Sequence, residues 1–269
     1  VKFSIIIPTY LRNEDLKLCL EQLSPSAQNF SKEAFEIIVT DDSPNGAAKE
    51  LIESSFPTVQ WTKGPGKGPA ANRNHGASLA KGEWLIFLDD DCVPAQDWLI
   101  AYQEKFNDGF QVLEGKTVTD RVQIRLNEEA PINEEGGNLW SCNFAIQSNV
   151  FIEIGMFDEH FPYAAMEDTD FYVRLLQSNT TILFVPKAIV IHPWRLIRPF
   201  SGSLKKRLDS QRFFLQKHLP KRSISFRWSR SKILVITIIQ DIFKLVQFKG
   251  RGFVYFFERL YFNWRMIFI

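Results

Sequence analysis

Short apolar runs recur along the first hundred residues, each closed by polar or turn-forming groups. Phe3 to Ile7 is β-branched and ends at Pro8, and FEIIVT (Phe35 to Thr40) ends on Asp41 and Asp42. These two read as buried strands, and TVQWT from Thr58 and EWLIFL from Glu83 read as a third and a fourth strand. Between them, Leu16, Leu20 and Leu23 fall at helical spacing, and further helices are predicted over Ala47 to Ser55 and Ala70 to Ala80. Strands alternating with helices predict βαβ units: an α/β fold with a mostly parallel sheet flanked by helices. Ligands of such sheets gather at the carboxyl ends of the strands. Here those ends carry Pro8-Thr9-Tyr10, Asp41-Asp42 and Asp89-Asp90-Asp91.

Beyond Asp97 the pattern is more mixed. Phe110 to Thr119 and Asn143 to Gln147 read as strands, as do TILFVP and AIVIH, taken as two separate ones, with a helix over Met166 to Gln177. The polar, Gly-ended stretch from Gln123 to Asn138 is long for a connection and is expected to act as a lid. The last segment differs in kind. From Ile233 to Phe248 the polar residues recur at helical spacing among apolar ones, and GFVYFFERLYFNWRMIFI crowds aromatics with arginines. The division expected is a catalytic domain over 1–204, donor-binding to about 95 and acceptor-binding after it. A helical, amphipathic extension would follow over 205–269.

Charge sharpens that division. Residues 205–269 hold 15 Lys and Arg against 3 Asp and Glu, leaving 17 against 28 in the rest, although the whole chain carries only +1. A basic, greasy extension on an acidic body suits an anionic surface, and peripheral membrane contact is expected through 223–269. It is interrupted by polar groups too often to span a bilayer, and it could instead pack on the body or on another copy as a homo-oligomer. Nothing points to nucleic acid. Cys19, Cys92 and Cys142 have no CxxC spacing, so neither a disulfide framework nor a zinc site is indicated. The opening VKFSIIIPTY has no signal-peptide pattern, and a cytoplasmic location, peripheral on the cytoplasmic face of a membrane, is expected.

Three adjacent aspartates behind a core strand repel one another. They are either solvated in a loop or held by a hard divalent cation, which takes oxygen ligands from one or two carboxylates and from substrate phosphates. In an extended segment Asp89 and Asp91 would share a side, with Asp90 turned away. A second acidic group, MEDTDF, places Glu167, Asp168 and Asp170 in the first turn of a helix, where negative charge is favoured, and Asp170 lies four residues before Arg174.

Five stretches in order, SIIIPTYLR, IIVTDDSP, AANRNHGASLAKGEWLIFLDDDCVP, IGMFDEHF and MEDTDFYVRL, resemble the inverting GT-A glycosyltransferases of family two, which use nucleotide-sugar donors. The likeness runs from Ser4 to about His192. It implies a GT-A, Rossmann-like fold, Mn²⁺ or Mg²⁺, a UDP-sugar ahead of a dTDP-sugar as donor, and a glycan or lipid-linked acceptor in surface polysaccharide or glycoconjugate synthesis. It further implies that Pro8, Thr9, Tyr10 and Arg12 line the nucleotide pocket, with Asp42 or Asp41 on the base. Lys67 in GPGKGP would approach the donor, Arg73 the base or diphosphate, and Asp89 and Asp90 the rest of the nucleotide. Asp91, with Asp89 and His192, would hold the metal. Asp168 would be the catalytic base with Glu167 beside it, and Trp140, Cys142, Asn143 and Trp194 would line the sugar or acceptor pocket, with Asp158 and Glu159 near the acceptor. Sugar-phosphate nucleotidyl transfer is an alternative, disfavoured because PTYLRNED has no Gly-rich basic signature. A non-catalytic sugar-nucleotide scaffold is disfavoured because Asp91 and Asp168 are both present.

Overall fold

A computed structural model describes residues 2–31, 33–219 and 224–268, so Val1, Lys32, 220–223 (with the basic pair Lys221 and Arg222) and Ile269 lie outside the described residues, as do both ends of the expected 223–269 contact segment. The chain divides into two compact units. The first comprises 1–120, 131–160 and 167–193; the second comprises 121–130, 161–166 and 194–269. The C-terminal part of the second unit starts at Trp194, and the unit draws in two segments from the middle of the chain.

The first unit follows the predicted alternation. Strand β1 (Phe3–Thr9), helix α1 (Asn13–Gln22), β2 (Phe35–Asp41), α2 (Lys49–Ser55), β3 (Gln60–Lys63), α3 (Pro69–Leu79) and β4 (Trp84–Leu88) form its first half. Then come β5 (Val93–Pro94), α4 (Trp98–Gln103) and β6 (Val112–Thr119). After β7 (Glu128–Glu129), which belongs to the second unit, β8 (Asn143–Gln147), α5 (Ser148–Glu153), α6 (Glu167–Gln177) and β9 (Ile182–His192) complete it. The eight-stranded sheet has the order β3-β2-β1-β4-β8-β6-β9-β5. β1 pairs in parallel with β2 on one side and β4 on the other, which makes the β1/β4 boundary a topological switch point. β8 runs antiparallel between β4 and β6, so the sheet is mixed.

Burial on both faces explains why the strands read as continuous apolar runs. Phe3, Ile5, Ile7, Ile86 and Leu88 pack on one side with Leu16 of α1 and Trp98 of α4. Ile6, Ile38, Leu85 and Phe87 pack on the other, where Phe144, Phe151, Phe157 and Phe171 form an aromatic cluster. Gly76 of α3 lies so near the sheet that a Cβ there would stand 2.6 Å from Ile6 Cγ2. That close approach seats α3 directly behind the switch point.

One strand prediction is corrected. TILFVP and AIVIH form a single strand, β9, because Pro186 falls within a bulge: Val185 pairs with Gly115 and Ile189 with Lys116, so three extra residues bow out where no ladder N–H is needed.

In the second unit, β10 (Arg195–Leu196) pairs antiparallel with β7, and α7 (Ser203–His218), α8 (Ile224–Gln247) and α9 (Phe253–Phe268) follow. Its small core joins Leu208 and Leu215 of α7 to Met266 of α9. The expected lid is divided between the units. Glu128 accepts from Ile124 N, Arg125 N and Arg121 in the second, while in the first Asn133 pairs with the Thr117 backbone and donates to Glu114 at 2.7 Å.

Candidate functional site

β4 ends at Leu88, and the next residues turn at once, with Cys92 N donating to Asp89 O. The three carboxylates diverge. Asp90 turns inward, accepting from Thr9 Oγ1 at 2.8 Å and from Arg12 Nη1 at 3.0 Å. Burial pushes its carboxyl up to about 6 against the pull of Arg12. Asp89 accepts from Arg73 Nη2 at 2.5 Å. Asp91 lies 3.4 Å from Arg12 Nη1 on one side and, through Oδ1, 3.4 Å from His192 Nε2 on the other.

His192, at the end of β9, is fully buried. Its Nδ1 lies 2.8 Å from the Pro193 carbonyl, which can only accept, so Nδ1 carries the proton and Nε2 faces Asp91. Nε2 is buried with no hydrogen-bond partner. A lone pair aimed at a carboxylate calls for a positive species between them, a proton or a metal ion. Cis ligands on a cation at about 2.1 Å stand roughly 3 Å apart, close to the spacing seen. Cys92 Sγ completes the only such cluster among the described residues.

Arg73 joins the strand end to α6. It is 4% exposed on α3 and reaches Asp89 with one nitrogen and Glu167 with another, at 3.6 Å. Burial opposes its charge, and Asp89 and Glu167 outweigh that effect. Its Nε has no hydrogen-bond partner, and Nη1 has only the 3.6 Å ion pair with Glu167. Glu167 is buried, and desolvation, then Asp168, raise its carboxyl to about 7 in spite of Arg73. Asp168 is half-buried, with Oδ1 accepting from Thr169 N at 2.7 Å; desolvation also raises it, and the amide and Arg73 oppose that. Asp170 instead holds Arg174 at 2.8 Å, and Arg174 clamps the Ile154 and Met156 carbonyls, a structural role.

Asp42 accepts from Gly66 N at 2.8 Å and Gly68 N at 3.1 Å, which fixes the glycine loop and leaves Lys67 exposed at its tip. Gly64 opens this loop so tightly that a Cβ would stand 2.2 Å from Asp42 Oδ1. At the end of β1, Pro8 and Thr9 are buried and Tyr10 is 55% exposed.

Three expected contacts are corrected. Asp41 is fully buried, with one oxygen accepting from Ser43 N and the other from Ala48 N, so it shapes the turn after β2 and is shut off from a base, whereas Asp42 is only half-buried. Asn143 is also consumed. Its oxygen accepts from Trp98 and Tyr102, and its amide donates to Lys116 O and Ala188 O, tying β8 to α4, β6 and the β9 bulge. Cys142 is 2% exposed, with Sγ 4.0 Å from Thr117 Oγ1, so its thiol is packed away from a sugar or acceptor. Trp140 is half-buried and donates to Ile132 O, and Trp194 falls in the second unit, donating to Arg121 O. Sequence reasoning missed Asn74, which exchanges two hydrogen bonds with the Phe157 backbone and one with Glu159, so holding the IGMFDEHF turn. Three adjacent polar residues, NRN, on a helix whose other buried positions are small or apolar, were the available signal.

A parallel switch point lined by carboxylates, with an arginine bridging the strand end to an acidic helix start, defines a GT-A glycosyltransferase fold. The description Glycosyl transferase family 2 matches residues 4–167, and the chain belongs to that family. Curated relatives include glycosyltransferase AglE of Haloferax volcanii, 25% identical over 76% of this chain and 69% of its own length. GalNAc(5)-diNAcBac-PP-undecaprenol beta-1,3-glucosyltransferase of Campylobacter jejuni is 25% identical over 80% of this chain and 71% of its own. Among solved structures, Staphylococcus aureus TarS 1-349 aligns with a TM-score of 0.61 at 20% identity, over 80% of this chain and 64% of that one. The chain thus spans under two thirds of that TarS chain.

Proposed function

We propose that this protein transfers a sugar from a nucleoside diphosphate donor, UDP-linked, to a hydroxyl of a glycan or lipid-linked acceptor with inversion at the anomeric carbon. The observation that carries the reading is Arg73, buried between Asp89 and Glu167, because it unites a donor-binding strand end with the carboxylates suited to activate an acceptor. Lys67 and Arg73 would meet the diphosphate, and Tyr10 and Asp42 would flank the base.

Asp91 and His192 fit a divalent ion, since the buried Nε2 lone pair faces a carboxylate, with Cys92 Sγ beside them, whereas Asp89 is turned to Arg73. Bound there, Mn²⁺ or Mg²⁺ would neutralise charge on the departing diphosphate. This chain's own carboxylates do the rest. Glu167 is engaged by Arg73, so Asp168 is the base: it takes the acceptor hydroxyl proton as that oxygen bonds to the anomeric carbon. The bond from that carbon to the phosphate oxygen breaks, and its electrons leave with the nucleoside diphosphate.

A relative whose name specifies a PP-undecaprenol substrate supports a lipid-linked acceptor, and a fold neighbour in complex with UDP, GalNAc and Mn²⁺ supports a metal-assisted UDP donor. Peripheral contact through 223–269 with the cytoplasmic face of a membrane would suit such an acceptor. Incubation with Mn²⁺ and a panel of UDP- and dTDP-sugars tests the reading. Release of nucleoside diphosphate with glycoside formation is expected. Pyrophosphate release or consumption would mean nucleotidyl transfer, and binding without turnover would mean a scaffold.

A further inference from the structure

The pair α8 and α9 is built inside out. Asp241, 3% exposed on α8, is held by the half-buried Arg259 of α9 at 2.8 Å, so a carboxylate takes the sheltered place between the helices. Phe248, Tyr255 and Met266 are buried, but two further apolar stripes face outward. On α8, Val235, Ile239, Ile242 and Val246 recur every three or four residues and are 49–75% exposed. On α9, Phe257, Tyr261, Trp264 and Phe268 do the same at 45–62%. A protein turned to water buries the second kind of residue and exposes the first. Exposed apolar stripes along two paired helices mark a partner or a membrane.

Charge selects between those occupants. Residues 224–268 contain eight Lys and Arg against two acids, Asp241 and Glu258. Asp241 is spent on Arg259, and Glu258 accepts from the Phe200 amide. Lys232 stands exposed in line with the α8 stripe, and Lys249 and Arg251 are exposed at the turn between the helices. Two copies placed face to face would oppose like-charged rims, whereas anionic headgroups would pair with them. Among the described residues no helix is long and apolar enough to cross a membrane.

We infer that α8 and α9 form an in-plane anchor, inserting the Val235–Val246 and Phe257–Phe268 stripes into one leaflet of an anionic bilayer, with Lys232, Lys249 and Arg251 on the headgroups. This deepens the peripheral contact proposed above and does not depend on the transfer chemistry. Lysine stems reach from the apolar depth to the phosphate level, so Lys232 within the stripe fits this placement.

Flotation of the full-length chain with vesicles of phosphatidylcholine, alone or mixed with phosphatidylglycerol, tests it. Wild type is expected to float with the mixed vesicles. Ile239→Asp and Trp264→Asp, each checked for helicity, should bind at least about tenfold more weakly. Lys249→Glu with Arg251→Glu should weaken binding to the mixed vesicles alone. Brominated lipid should quench tryptophan emission in wild type and less in Trp264→Phe. UDP binding should be unchanged in all of them, which separates failure of the anchor from failure of the transferase reading. Wild type that stays unbound to both vesicles, or aspartate variants that float like wild type, overturns the inference. So does a loss of dimerisation in those variants without change in flotation, which would assign the surface to a second copy.

Discussion

Glu167 offers a test of the site through stability rather than activity. Its carboxyl is raised from 4.5 to about 7 in the folded chain, chiefly by burial and then by Asp168. Between those values the folded state holds a proton that the unfolded chain has released, so the contribution of this group to stability falls as pH rises through the window and is flat above it. The full difference corresponds to about 3 kcal/mol at pH 8. Glu167→Gln keeps the shape and removes the charge, at the expense of the 3.6 Å ion pair with Arg73, which retains Asp89. The net gain at pH 8 should then be about 1–3 kcal/mol, with none at pH 4. Urea unfolding of both proteins from pH 4 to pH 8 in chelator measures it. The variant should pull ahead only as pH rises. A stability difference of the same sign and size at every pH would refute the reasoning.

Asp168→Asn should lower turnover by about 10²–10⁴-fold with little change in donor KM. With Asp168 raised by burial, wild-type turnover should fall toward acid pH while nucleotide binding persists, a split visible in a kcat and KM profile. Gly64→Ala forces a Cβ to 2.2 Å from Asp42 Oδ1, so the glycine loop must shift and donor KM should rise at least about tenfold, read by initial rates. Asn143→Ala strands buried Trp98 and Tyr102 donors and should cost about 2–4 kcal/mol in urea unfolding, marking a brace rather than a sugar contact.

The sheet was legible because its strands are apolar on both faces and end in carboxylates, a signal that survives without knowledge of partners. The joining of TILFVP to AIVIH was not, since Pro186 reads as a breaker until a bulge relieves it of its ladder bond. The roles of Asp41 and Asp42 could not be divided from their adjacency, because the choice depends on which amides, Ser43 and Ala48 or Gly66 and Gly68, each carboxylate meets. Asn143 and Cys142 sat in a stretch where a pocket was expected, and only the β9 bulge and α4 show that the asparagine is fully bonded. The extension's apolar and basic character was plain, but its reversal, with Asp241 sheltered and Ile239 outside, required the pairing of α8 with α9.

In the proposed mechanism a divalent ion at Asp91 and His192 grips the donor diphosphate. Calorimetric titration of UDP with and without Mn²⁺ addresses it directly. Wild type should bind at least about tenfold tighter with the ion, while Asp91→Ala and His192→Ala, folded as judged by circular dichroism, should lose that gain and keep the metal-free affinity. Equal affinity with and without Mn²⁺ in wild type, or an undiminished Mn²⁺ effect in both variants, would contradict it.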